Sequence, residues 1–187
     1  MNPPVNALTP ARSANSRITG FEIETLARPV PNLTLRAAAS LLNAEFRDYF
    51  VEEFDPTITD GPPFAIVDKS GDRLDDVPEY SIALGADYDL PLSGGSSLHF
   101  GVDSTIKGDT LSNQNTLRAS DYTVVNARIG WTAPSGALTL TAWIRNLTDE
   151  VYYRGGAAVP DFNKDVARVG LVADPRAAGV TVRYRFD

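Results

Sequence analysis

Apolar and polar residues take turns along most of this chain, so its hydrophobic pattern repeats every two residues rather than every 3.6. From Thr19 to Ala27, Phe21, Ile23, Thr25 and Ala27 alternate with Gly20, Glu22 and Glu24. From Leu33 to Leu41, Leu33, Leu35, Ala37, Ala39 and Leu41 alternate with Thr34, Arg36 and Ser40. The cleanest run is Glu79 to Leu90. There Tyr80, Ile82, Leu84, Ala86, Tyr88 and Leu90 face one way, and Glu79, Ser81, Ala83, Gly85, Asp87 and Asp89 the other. Leu98 to Lys107, Thr123 to Trp131, Leu138 to Arg145 and Gly179 to Phe186 repeat the scheme. The pattern predicts an all-β chain, an antiparallel meander of about seven strands.

The connections alternate in length. "RPVPN", "PLSGGS" and "APSG" are short and rich in Pro and Gly, which marks tight turns. Residues 49–76, 108–120 and 148–178 are long and lack the period of two, and they read as loops. One rim of the meander then carries turns and the other carries loops, and each strand is near the ~9 to 11 residues that cross a bilayer at a tilt. Tyr80, Tyr88, Phe100, Trp131, Tyr184 and Phe186 all fall on apolar faces, as in a membrane-interface girdle. A β-sandwich also alternates, with the same aromatics as its core, so a soluble sandwich binding module stays open. So does a complete small barrel of eight transmembrane strands, acting as an anchor or adhesin.

Composition narrows the classes. The chain has 187 residues, 43% hydrophobic and 22% charged, and no cysteine, so no disulfide framework or Cys-based metal or redox site can form. Its net charge is −7, and residues 51–76 hold eight acids against Lys69 and Arg73, which accounts for −6 of it. The remainder is nearly neutral, which argues against a nucleic-acid footprint. No stretch reaches the ~18 apolar residues of a membrane helix. The start, "MNPPVNALTPARSANS", has no basic segment followed by an apolar core and does not read as a signal peptide.

Four stretches resemble one family. "GFEIETLARPVPNLTLRAAASLLNAEF" (20–46) looks like two consecutive strands, and "DVPEYSIALGADYDL" (76–90) like a strand re-entering after a long loop. "WIRNLTDEVYY" (143–153) carries an Asn-Leu-x-Asp-x-x-Tyr strand end at Asn146, Leu147, Asp149 and Tyr152. "DPRAAGVTVRYRF" (174–186) carries a Pro-Arg-x-x-Gly motif and a terminal strand. Together they resemble the C-terminal part of a TonB-dependent outer-membrane receptor. The resemblance implies a segment of a 22-stranded outer-membrane β-barrel with a plugged lumen. It also implies a Gram-negative outer-membrane location and a parent protein that imports a nutrient such as a ferric siderophore. Residues 1–16 are then a loop remnant and 17–187 the barrel segment, with the plug domain absent. The implied partners are outer-membrane lipid, the barrel-assembly machinery, the substrate of the parent and, through the plug, the TonB complex. Phe186 would be the terminal aromatic read during assembly, although Asp187 follows it.

No catalytic constellation emerges, so no enzyme and no cofactor are expected. His99, the one histidine, falls on the polar face and has no close partner in sequence, which does not make a metal site. Asp161, Asn163 and Asp165 have calcium-loop spacing, but Val166 and Val172 stand where such a loop needs Gly and Glu. Arg36, Arg128, Arg145, Arg183 and Arg185 share the polar face with Glu22, Glu24, Asp87, Asp89 and Asp103, and mutual pairing is their simplest arrangement. Ligand contacts are expected in the long loops, at Tyr152, Tyr153, Arg154 and Phe162.

Overall fold

The computed structural model describes residues 14–55, 57–61, 63–112, 117–160 and 166–186. In chain order the strands are β1 (Asn15–Ala27), β2 (Leu33–Asp48), β3 (Phe50–Phe54), β4 (Phe64–Asp68), β5 (Tyr80–Pro91), β6 (Ser97–Lys107) and β7 (Thr110–Ser112), followed by β8 (Leu117–Ala119), β9 (Tyr122–Thr132), β10 (Leu138–Arg145), β11 (Tyr153–Pro160), β12 (Val166–Val172) and β13 (Ala177–Tyr184). Seven of them form one antiparallel sheet in the order β1-β2-β5-β6-β9-β10-β13. The expected seven-stranded meander is therefore present, strand for strand.

The short turns join β1 to β2, β5 to β6 and β9 to β10 on one rim. Each needs a residue in left-handed conformation, supplied by Asn32 (φ 66°), by Gly94 and Gly95 (φ 87° and 85°), and by Gly136 (φ 71°). The long connections sit on the opposite rim and are not plain loops. Each folds into a hairpin of its own: β3/β4, β7/β8 and β11/β12. Their pairing escaped the period-two reading because β7 and β8 have only three residues each, and FAIVD and YRGGAAVP do not alternate apolar with polar residues. β2 likewise runs to Asp48, beyond Leu41, where alternation has ended. Its extension is held by β1 and by the first long connection, through Phe46 N to Asp72 O (2.9 Å) and Leu74 N to Ala44 O (3.0 Å).

Cross-strand partners share a face, so the register assigns every side chain. Leu35, Ala86, Val102, Ala127 and Ile144 lie in one apolar row, and Leu33, Tyr88, Phe100, Ile129, Ala142 and Val180 in another. Phe100, Trp131 and Tyr184 fall on this face toward the turn rim, and Tyr80 toward the loop rim. Among the described residues nothing covers the face: Phe21 is 62% exposed, Leu84 46% and Val180 71%. No described side chain is fully buried. The accessible surface is 13507 Å², against about 8,800 Å² for a compact 20.2 kDa monomer. Among the described residues no second sheet packs on the apolar face, as a sandwich would need. The described residues form no closed eight-stranded barrel either, since their main sheet has seven strands and β1 and β13 each pair on one side.

An apolar face and two unpaired edges predict association in water. The purified chain should be polydisperse without detergent and monodisperse with it, as followed by light scattering across a detergent titration. A detergent-free monomer with a sharp cooperative melt would contradict the exposed face.

Candidate functional site

The polar face carries a chain of ion pairs across four strands. Asp87 on β5 accepts from Arg36 of β2 on one side and from Arg128 of β9 on the other. Arg128 also approaches Asp103 of β6 at 3.5 Å, and Asp103 accepts from Asn126 at 2.7 Å. The glycines make this reach possible. A Cβ at Gly101 would lie 2.6 Å from the guanidinium carbon of Arg128, and one at Gly85 would lie 3.3 Å from Nε of Arg36. Both guanidinium groups thus lie flat along the sheet over bare backbone. His99 is not isolated, as its sequence surroundings suggested. Its Nδ1 is 2.7 Å from Asp89 and its Nε2 is 3.3 Å from Asp87. These partners were invisible along the chain because β5 and β6 meet only through the hairpin register. Among the described residues no group of His and carboxylates is arranged to hold a metal ion. The calcium-spaced residues, Asp161, Asn163 and Asp165, and the proposed contact Phe162 lie outside the described residues.

Above this ladder, where the strands meet the loop rim, the polar face opens into a groove of about 540 Å³. β9 contributes Tyr122, Val124 and Asn126, the end of β10 contributes Arg145 and Asn146, and the start of the last strand contributes Asp174, Pro175 and Ala177. Tyr152 and Arg154, two of the expected ligand contacts, complete it. The Tyr152 ring stacks on Tyr122 with centroids 4.1 Å apart. Arg154 pairs with Asp174 at 2.8 Å, and its guanidinium is pushed above its usual range first by the Tyr152 hydroxyl and then by Asp174. Tyr153 turns the other way, as strand alternation requires. It packs over Gly170 and lines a smaller cavity of about 240 Å³ with Leu117 and Val169, between the second and third hairpins. Phe186, beyond β13, is 86% exposed and meets Tyr184 edge to face at 4.7 Å.

Tyr122, Arg145 and Asn146 were not singled out as site residues by the sequence. Arg145 stacks on Trp143 at 5.1 Å and has no carboxylate partner among the described residues. The signal that could have found Asn146 was its place in the strand-end motif. It is 3% exposed, and its side chain bonds both the N–H of Glu150 (2.9 Å) and its carbonyl (2.8 Å).

A family model described as "TonB dependent receptor-like, beta-barrel" matches residues 2–147. The chain belongs to this family. The ferric yersiniabactin uptake receptor FyuA of Yersinia pestis superposes with a TM-score of 0.74 at 19% identity, covering 93% of this chain and 24% of that one. The siderophore receptor PiuA of Acinetobacter baumannii gives 0.70 at 16%, covering 91% and 22%. The ferric-catecholate import receptor Fiu of E. coli K12 gives 0.60 at 17%, covering 92% and 21%. At such identities the likeness establishes the fold, and the chain spans under a quarter of the length of these receptors. It is a piece of TonB-dependent receptor barrel architecture, and its relatives are receptors rather than enzymes.

Asp87 is the hub of the ladder. Asp87→Asn should lower the unfolding free energy in detergent micelles by about 2 kcal/mol, since charge-assisted hydrogen bonds to two arginines weaken together. Asp89→Asn, at a far more exposed carboxylate, should change it by less than about 0.5 kcal/mol. Denaturant titrations of the two variants side by side test the ranking.

Proposed function

We propose that this chain forms part of the wall of an outer-membrane importer of a nutrient such as a ferric siderophore. One observation carries the reading. A seven-stranded antiparallel sheet has one continuous apolar face, one charged face, turns on one rim and hairpin loops on the other, which is how a strand meets lipid on one side and a wet lumen on the other. In this reading the apolar rows face outer-membrane lipid, and the Arg36–Asp87–Arg128 ladder lines the lumen. The short turns lie in the periplasm and the three hairpins lie outside the cell. The groove at Tyr122, Arg145, Tyr152 and Arg154 then opens toward incoming substrate. It combines a stacked aromatic pair with cations, a combination suited to a planar or anionic chelate. Tyr153 belongs to the same external hairpin region. The TonB complex would act through a plug domain outside residues 17–187. The barrel-assembly machinery would read the last strand, with Phe186 as its terminal aromatic.

Leu84 and Ser81 lie on one strand with opposite parity. In a receptor carrying this segment, Leu84→Arg should cost about 2 to 4 kcal/mol in a bilayer, the range for a cation near the midplane, and Ser81→Arg should cost less than about 1 kcal/mol. Equal costs would remove the lipid assignment.

The topology has its own test. An epitope inserted after Gly71, in the first long connection, should label on intact cells. One inserted after Gly94, in the β5–β6 turn, should label only after permeabilisation. The opposite pattern would invert the proposed orientation.

A further inference from the structure

The pairing of β10 with β13 poses a problem that alternation alone does not solve. The two strands are joined through residues 146–176, so no tight turn sets their register. A slip of one residue would move every apolar side chain to the polar face and is excluded on that ground. A slip of two, roughly 7 Å, keeps both faces. The apolar row would tolerate it, because Leu138, Leu140, Ala142 and Ile144 face Tyr184, Val182, Val180 and Ala178, and any of these can meet any other.

Two contacts do distinguish the registers. Trp143 lies opposite Gly179, and its Nε1 donates to Thr181 Oγ1 at 3.2 Å. A Cβ at Gly179 would sit 2.6 Å from the indole, so this ring fits over a glycine. A slip of two would set Trp143 against Ala177 or Thr181, each of which has a Cβ. The second contact joins the two motifs of the chain. Asp149, held at φ 58°, accepts the Arg176 N–H at 3.3 Å and pairs with its guanidinium at 3.4 Å. The turn bearing Asp149 is itself anchored away from β13. Leu147 N donates to Val125 O (2.7 Å), Asn146 N donates to Asn126 Oδ1 (3.0 Å), and Asn126 is bonded to Asp103.

We infer that Trp143 over Gly179, together with the Asn146–Asp149–Arg176 knot, is a two-point lock on the register of the last strand. The turn is a fixed post on β9 and β6, and only the native register brings Arg176 to it. These are positioning residues. The lock also builds the groove, since Asp174, Pro175 and Ala177 form one of its walls and Asp174 must arrive opposite Arg154.

The absence of cysteine allows a direct readout. Leu140→Cys with Val182→Cys reports the native register. Leu140→Cys with Tyr184→Cys, and Leu138→Cys with Val182→Cys, report the two slips of two. In the full chain in detergent micelles the native disulfide should dominate and the slipped ones be rare. With Trp143→Ala and Asp149→Ala added, slipped disulfides should rise at least tenfold at the expense of the native one. An unchanged pattern would overturn the lock. If that variant yields no disulfide of any kind, single variants at Asp149 decide. Asn tolerates the left-handed backbone and keeps an acceptor, so Asp149→Asn should hold the register while Asp149→Ala slips. Equal slipping in both would overturn the inference.

Discussion

Backbone hydrogen bonding between neighbouring strands is the constraint from which the rest of this molecule follows. Once the ladder runs from β1 to β13, each residue has a fixed partner, and each side chain is sent to one of two faces by its parity. The chain places aliphatic and aromatic residues on one parity and charges, hydroxyls and glycines on the other. Among the described residues the only buried apolar side chains are therefore the small ones of Ala44, Ala119 and Ala173. Apolar burial, which stabilises most folds, is left to whatever surrounds the sheet, and this is why a face with Phe21, Leu84 and Val180 can stay open in a well-paired structure.

Around Asp87, charge on the other face is managed by pairing rather than by dilution. Asp87 sits between two arginines that approach from opposite neighbours, and its position is useful because Gly85 and Gly101 leave the surface beside it bare. The same device recurs at Gly179 beneath Trp143 and at Gly170 beneath Tyr153. At each of these four glycines a large side chain lies over backbone that has no Cβ. The flat-lying groups then cover backbone and tie strands together laterally, a role that core packing plays in a compact domain.

The long connections are tied to one another as well as to their strands. Arg73 of the first reaches Asp109 of the second at 3.3 Å, Arg118 meets the same carboxylate at 3.0 Å, and Asp76 N donates to Leu111 O at 2.6 Å. The second and third connections meet around Tyr153, Leu117 and Gly156. The groove is bounded on its loop side by the third connection alone, and its aromatic pair comes from β9 and from that connection.

The amino-acid pattern alone determined the seven strands of the main sheet, their two faces and which rim bears the turns. Those features depend on local period, on Pro and Gly chemistry and on parity, all of which are written along the chain. That Tyr152 and Arg154 lie at the loop rim was legible because the long connections all fall on that rim. Only the tertiary structure decided that Tyr153 turns away from them, that Tyr122 and Arg145 join them, and that His99 sits between two carboxylates. Each of these depends on register between strands, and register is set by contacts between residues far apart in sequence. The hairpins in the long connections were hidden for a related reason. A period of two is legible only where apolar and polar residues alternate over several positions, and the strands of these hairpins are very short or do not alternate.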